Sequence, residues 1–273
     1  MNLATELQSR ISQQNKIIVV IGDTMIDRWI DGKLELCQEG IKKFIQDRPT
    51  VEVPGGAANA RRSISNWDVG AAALFGQPKR YECIKTRYLV NGTIVFRVDT
   101  DITSDLNHSD LLMYAVSKAG GVLLSDYDKG ALTPNLIQSV VDGCRRLNIP
   151  CVADCKREPE VYKGCILKGN AEWAYRHKVN LLLPNVVITN GKNLPTVNGR
   201  MVAVMDTLNR VECVNHIGAG DCFAAHLTLA LAYGFSLKEA AVLAHSAGRV
   251  YVQHPFNRPP LPDEIAVDLA NAW

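Results

Sequence analysis

Three short aliphatic runs each reach an acid within two residues of their end, and few folds suit a chain built that way. Ile17–Ile21 runs into Gly22-Asp23, Val122–Leu124 into Ser125-Asp126, and Cys151–Ala153 into Asp154. Continuous apolar runs of this length suit strands buried on both faces, with helices covering each side. Helical segments lie between them: Ala57–Asn66, Leu106–Lys118 with Gly120 and Gly121 as a stop, and Pro134 to about Leu147 with Thr133 as its cap. Ala71–Phe75, Cys165–Leu167, Leu181–Leu183 and Val186–Thr189 read as further strands. The order predicts an α/β fold, a doubly wound, mostly parallel sheet flanked by helices. Open sheets of this type bind ligands at the carboxyl ends of their strands, where these acids fall.

A second pattern interrupts the alternation. Trp29–Cys37, Thr50–Val53, Thr86–Val90 and Thr93–Val98 are β-rich, and Asn91-Gly92 joins the last two as a two-residue hairpin. Segments 29–53 and 86–98 are therefore expected to form a small β-sheet lid within a single domain spanning residues 1–273. A small exposed sheet leaves unpaired edges and an apolar face, which a second copy of the chain would cover. A homodimer through the lid is the expected assembly.

Bulk properties narrow the partners. A net charge of +2 gives no reason to expect nucleic acid or an anionic membrane surface. Ile17–Ile21 is far too short to span a bilayer. Met1–Gln14 mixes polar and charged residues without the apolar core of a signal peptide, so a cytoplasmic location is expected. The 8 cysteines include no Cys-x-x-Cys pair, which favours reduced thiols over a metal cluster.

The chemistry concentrates in Asn215-His-Ile-Gly-Ala-Gly-Asp-Cys222, ahead of an apolar helix, Phe223–Tyr233. Gly218, Ala219 and Gly220 carry little side chain, so their N–H groups can approach an anion, and the helix N-terminus adds about half a positive charge. Asp221 places a carboxylate beside that anion site. A base next to an anion hole suits the removal of a proton from a hydroxyl that attacks a phosphoryl group.

Three other pieces accompany this one: Gly22-Asp-Thr-Met-Ile-Asp27, Pro54-Gly-Gly-Ala-Ala-Asn59 and Ser125-Asp-Tyr-Asp-Lys-Gly-Ala-Leu132. In this order the four resemble the ribokinase-like sugar kinases of the PfkB carbohydrate kinase family, over about Ile17–Glu264. Within that family they look most like heptose-7-phosphate kinase domains. The resemblance implies a ribokinase-like fold and an ATP-dependent sugar or sugar-phosphate kinase, with Mg²⁺ carried by the nucleotide. It implies that Asp221 is the base and that Gly218, Ala219 and Gly220 line the anion hole. Asp27, with Asp23, would bind sugar hydroxyls. Gly55, Gly56 and Asn59 would approach the sugar, and Lys129 would face a substrate phosphate. Lys156, Glu172, Thr189, Gly191 and His245 would serve the nucleotide, Glu172 also acting indirectly on the metal.

The chain departs from the family at Asn215 and Ile217, where Asp and Thr are usual, and at Gly169-Asn-Ala-Glu172, where an Asn-x-x-Glu motif is expected. The stretch Phe75–Arg87 is too short for an expected helix. No Walker-type phosphate loop is present. Two other readings remain open at this level: a kinase of another alcohol such as a nucleoside or ketohexose, and a catalytically weak sugar- or nucleotide-binding protein of the same fold.

Overall fold

The computed structural model describes residues 2–76, 83–104, 106, 110–202 and 211–272. Strand β1 (Ile17–Gly22) lies between two parallel neighbours, β5 (Ala71–Phe75) and β8 (Ala119–Ser125). Beyond β8 the sheet continues in parallel through β9 (Cys151–Asp154), β10 (Ile166–Asn170) and β11 (Val186–Asn190). It closes antiparallel with β12 (Asn193–Val197) and β13 (Arg200–Met201). Asn198 and Gly199 both have positive φ, 51° and 75°, as the turn between the last two strands requires.

Alternation along β1 divides the core. Ile18 and Val20 face α1 (Leu3–Gln13), α2 (Ala57–Ser65), α6 (Ala219–Ala232), α7 (Leu237–Tyr251) and α8 (Pro262–Ala272). Val19 and Ile21 face α3 (Asp110–Lys118), α4 (Pro134–Leu147) and α5 (Ala171–Arg176). The doubly wound sheet expected from the sequence is therefore present, and its first strand is buried on both faces.

Several elements differ from expectation. Residues 3–13 form α1, capped by the Asn2 side chain, with Ala4, Leu7 and Ile11 buried on one stripe. That spacing was readable in the sequence. Leu181–Leu183 is not a strand. The Asn180 side chain accepts from the Leu182 N–H and its carbonyl from the Leu183 N–H, a local turn that leaves Leu182 76% exposed. The sheet has no place for another strand there, because β10 pairs directly with β11. Gly120 and Gly121 lie inside β8, which follows α3 without a loop. The helix expected over Leu106–Lys118 is described from Asp110, with Leu106 outside it; residues 107–109, and residues 77–82 of the short stretch Phe75–Arg87, lie outside the described residues.

The lid is larger than expected. Its spine, β2 (Thr24–Leu36), begins five residues before Trp29 and so carries Asp27 itself. β4 (Val51–Gly56) pairs antiparallel with the first half of β2, and β3 (Lys42–Gln46), which the sequence reading missed, with the second half. β6 (Cys83–Val90) runs parallel to β2 on the other side, and β7 (Thr93–Thr100) pairs with β6 through the Asn91-Gly92 turn. Lid and main sheet thus share a continuous chain at Gly22-Asp23-Thr24, which sets the start of the lid directly beside the carboxyl edge of the main sheet.

Candidate active site

Helix α6 is apolar around its circumference, with 11 buried residues, so it packs centrally and aims its N-terminus at the carboxyl edge of the sheet. Gly218 caps it with φ 84°, and a Cβ there would meet the Tyr251 hydroxyl at 2.3 Å. Only glycine fits both demands. Three residues on, Asp221 is 2% exposed and accepts from the Tyr127 hydroxyl at 2.5 Å and from Asn59 Nδ2 at 3.2 Å. Burial, and then the charge of Asp154, raise its pKa to about 6. The Tyr127 and Asn59 hydrogen bonds and the Lys156 charge pull the other way. A carboxylate tuned to that range is a base near neutral pH.

The N–H groups expected to line an anion hole are not all free. The Ala219 N–H is engaged by the His216 carbonyl at 3.2 Å, which closes the turn into the helix. The Gly220 and Asp221 N–H groups, in the first turn, have no intrahelical acceptor. Gly220 and Asp221 thus carry the N–H groups left open at this helix end, and Gly218 supplies the turn.

Asp27 lies 3% exposed at the base of the lid. The Arg87 guanidinium from β6 donates to its Oδ1 at 2.7 Å, and Asn257 Nδ2 donates to its Oδ2 at 2.8 Å. A Cβ on Gly55 would come within 2.5 Å of the same carboxylate, so the first glycine of Pro54-Gly-Gly makes room for Asp27. Asn59, fully buried, donates to Asp221, the Gly218 carbonyl and the Tyr251 hydroxyl, while its Oδ1 has no partner. Asn215 belongs to the same network. Its Nδ2 donates to Asn257 Oδ1 and its Oδ1 accepts from the Ile217 N–H, so Asn215, Asn257 and Asp27 form a buried chain. The Ile217 carbonyl accepts from Tyr251. Asn215 is thus built into this polar network by its side chain, and Ile217 by its backbone alone.

Two residues expected to bind the substrate are held by neighbours in this structure. Both Asp23 oxygens accept backbone N–H groups, from Tyr127, Lys129 and Ala131, so this fully buried carboxylate shapes the loop after β8. The Lys129 ammonium is turned to Asp101, at 2.5 Å. Asp126, likewise at a strand end, is held by Arg157 and the Tyr162 hydroxyl. Of the three strand-end acids, only Asp154 faces the charges of the site.

The residues expected to serve the nucleotide are spread over several elements. Glu172 is exposed on α5 and pairs with Arg176 one turn on. Asn170 caps that helix by accepting from the Trp173 N–H, so the residue three after the asparagine is Trp173, not an acid. The Trp173 ring fills the space a side chain at Gly169 would need, 2.0 Å from a Cβ there. His245 sits on the buried face of α7, where burial, helped by the Arg249 charge, holds its pKa down to about 4 and keeps the ring neutral. Thr189 and Gly191 lie at the end of β11, on the same edge as Asp154.

Three cations escaped the sequence reading. Lys168 on β10 is 3% exposed and donates to Asp154 Oδ1 at 3.0 Å and to the Gly220 carbonyl at 3.1 Å. Lys85 on β6 lies 4.7 Å from the centre of the Tyr127 ring, and Lys156, which the sequence did flag, lies 4.9 Å from it. Burial pushes the Lys85 ammonium down, against the pull of Asp27 and Asp221. Arg87 is the third. All three sit in strands of ordinary polar–apolar pattern, and only the fold points them at Asp27, Asp154 and Asp221.

Comparison with known proteins follows the same lines. Residues 172–264 match the model of the pfkB family carbohydrate kinases. The chain is 23% identical over 314 residues to the bifunctional protein HldE of Acidiphilium cryptum, covering 91% of this chain and 62% of that protein. It is 27% identical over 296 residues to the HldE of Caulobacter vibrioides, covering 87% and 60%. The chain therefore spans about three-fifths of the length of these curated relatives. The structure superposes on Arabidopsis thaliana ribokinase complexed with ribose and ATP with a TM-score of 0.69, at 14% identity and over 94% of this chain and 99% of that one. The fold is ribokinase-like.

Proposed function

We propose, from the pfkB-family match and the ribokinase-like fold, that this chain is an ATP-dependent carbohydrate kinase whose acceptor is a phosphorylated sugar such as a heptose 7-phosphate. The observation that carries the reading is Asp221, a base tuned near neutrality, beside the free N–H groups of α6. Asp221 takes the proton of the acceptor hydroxyl. The hydroxyl oxygen bonds to the γ-phosphorus as the bond to the bridging oxygen breaks, and ADP leaves with the electron pair. The Gly220 and Asp221 N–H groups stabilise the charge that spreads over the phosphoryl oxygens.

The sugar-phosphate preference rests on Lys85 and Arg87. Both stand in the lid beside Asp27 and Asp221; Arg87 is paired with Asp27, and Lys85 is the cation placed to meet a substrate phosphate. Heptose is the narrower part of the reading and draws on the HldE relatives. Among the described residues no three His, Cys, Asp or Glu side chains converge as a metal cage. Magnesium would come with the nucleotide phosphates and keep much of its water, as this ion generally does in phosphoryl-transfer sites. No helix among the described residues is long and apolar enough to cross a membrane. A coupled ADP-release screen over free sugars and sugar phosphates tests the function. Turnover with a sugar phosphate is expected, and an absence of ADP release with every acceptor would remove the kinase reading.

The pH dependence follows from Asp221. Its base form is lost as pH falls through about 6, so kcat should fall on the acid side of that value. The Tyr127 hydrogen bond holds the Asp221 pKa down. Tyr127→Phe should therefore move the acid limb of the kcat profile up by about half to one pH unit and leave the plateau largely intact. An unshifted limb would separate the profile from Asp221.

The lid supports a dimer. Its edge strand β7 is exposed along its length, with Ile94, Phe96 and Val98 each more than 40% exposed, and the Phe96 ring stacks on Tyr88 at 4.2 Å. An apolar edge strand of this kind pairs readily with another copy. Sedimentation at micromolar concentration should give a dimer, and Phe96→Lys should give a monomer. A wild-type monomer across that range would exclude the lid as an interface.

A further inference from the structure

Lys168 is almost wholly buried at the carboxyl edge of the main sheet, an unusual place for a lysine. Its ammonium stands at the first turn of α6, 3.2 Å from where a Cβ on Gly220 would be. It has three hydrogens, and among the described residues two acceptors: Asp154 Oδ1 and the Gly220 carbonyl. Its partner Asp154 is 1% exposed, and the Asp154 Oδ2 lies buried with no hydrogen-bond partner; Asn59 Oδ1, on the side chain that donates to Asp221, also has none. A buried ion pair is poor value for stability, since an apolar pair of the same volume usually serves as well. Its place beside the base and the anion hole reads instead as function.

The chemistry of the site leaves a charge unmet. A transferred phosphoryl group spreads negative charge over three oxygens. Two backbone N–H groups carry no full charge, and the α5 position three residues after Asn170 holds Trp173 instead of an acid that could anchor a metal. We propose that Lys168 is a catalytic residue that contacts the transferred phosphoryl group, with Asp154 holding its ammonium in place. This rests on the kinase reading above. Lys168 exchanges the Gly220 carbonyl for a γ-phosphoryl oxygen, and gains and loses no proton. Asp221 remains the only group that accepts one.

Removing Lys168 alone strands the buried Asp154 charge, so a loss of activity could reflect folding. The test pairs Lys168→Met with Asp154→Asn, which removes both charges and keeps the volumes, and adds Lys168→Gln, which keeps hydrogen-bond donors without charge. Each is measured for melting temperature, for kcat with the best acceptor of the screen, and for binding of inorganic tripolyphosphate by calorimetry. The double variant is expected to melt near wild type, to lose about 10²-fold or more in kcat, and to bind tripolyphosphate about tenfold more weakly. Lys168→Gln should behave the same way in kcat. A folded double variant, or Lys168→Gln, that turns over within about threefold of wild type and binds tripolyphosphate unchanged overturns the proposal. If the wild type releases no ADP with any acceptor, the kinase reading falls. Tripolyphosphate binding then still shows whether Lys168 contacts an anion.

Discussion

Asp221→Asn is expected to lower kcat by about 10²–10⁴-fold while nucleotide affinity stays near wild type, because the substitution keeps the shape of the side chain and removes the proton acceptor. The same change should stabilise the protein. Burial and the nearby Asp154 charge raise the Asp221 pKa from 3.8 to about 6. The folded state therefore holds a proton that the unfolded chain has released between those values. Stability falls as pH rises through this window, by about 3 kcal/mol for a shift of two units, and the cost persists above it. Below pH 4 both states are protonated and the cost vanishes. Asparagine carries no such cost, although it presents one amide edge that cannot accept from Asn59, a loss of about 1 kcal/mol. The variant should thus gain about 2 kcal/mol at pH 8 and lose up to about 1 kcal/mol at pH 4, read from urea unfolding at each pH. An inactive variant with unchanged stability at pH 8 would mean that Asp221 is better solvated than its 2% exposure indicates.

Arg87→Met should have the largest effect on stability. The Arg87–Asp27 pair is about 5% exposed on each side and joins two strands of the lid. The variant leaves Asp27 charged and buried with only Asn257 to accept from, and an uncompensated buried charge costs about 3–5 kcal/mol. That is a large part of the 5–15 kcal/mol that holds a typical domain folded. Adding Asp27→Asn removes the stranded charge, so the double variant should recover most of the stability. It should not recover sugar affinity, since both groups face the acceptor. A raised KM for the sugar phosphate with a normal melting temperature is the expected signature of the double variant. A single variant within about 1 kcal/mol of wild type would show that water reaches the pair and that the lid is looser than described.

Much of this was legible from residue order alone. The strand runs, their acidic ends and the Asn91-Gly92 hairpin each depend on near neighbours, and each took the expected form. Gly218, Asp221 and Asn59 announced themselves because a glycine turn before an apolar helix is local. What misled the reading was equally local in appearance. Leu181–Leu183 looked like a strand, but strands exist through partners, and none was adjacent. Asp23 and Asp126 looked like ligand-binding acids, but their oxygens are filled by backbone N–H groups in the first case and chiefly by Arg157 and Tyr162 in the second.

The sequence by itself determined the α/β layering and the glycine turn that opens α6 with Asp221 in its first turn, because these follow from hydrophobic period and turn chemistry within a few residues. The tertiary structure alone decided which charges meet. Asp27 and Arg87 are 60 residues apart in the chain, Asn59 and Asp221 162, and Asn257 and Asp27 230. No periodicity encodes such pairs. They form where strand order and helix packing bring distant segments to one edge, and burial there sets the pKa of Asp221 and points Lys168 at the anion site.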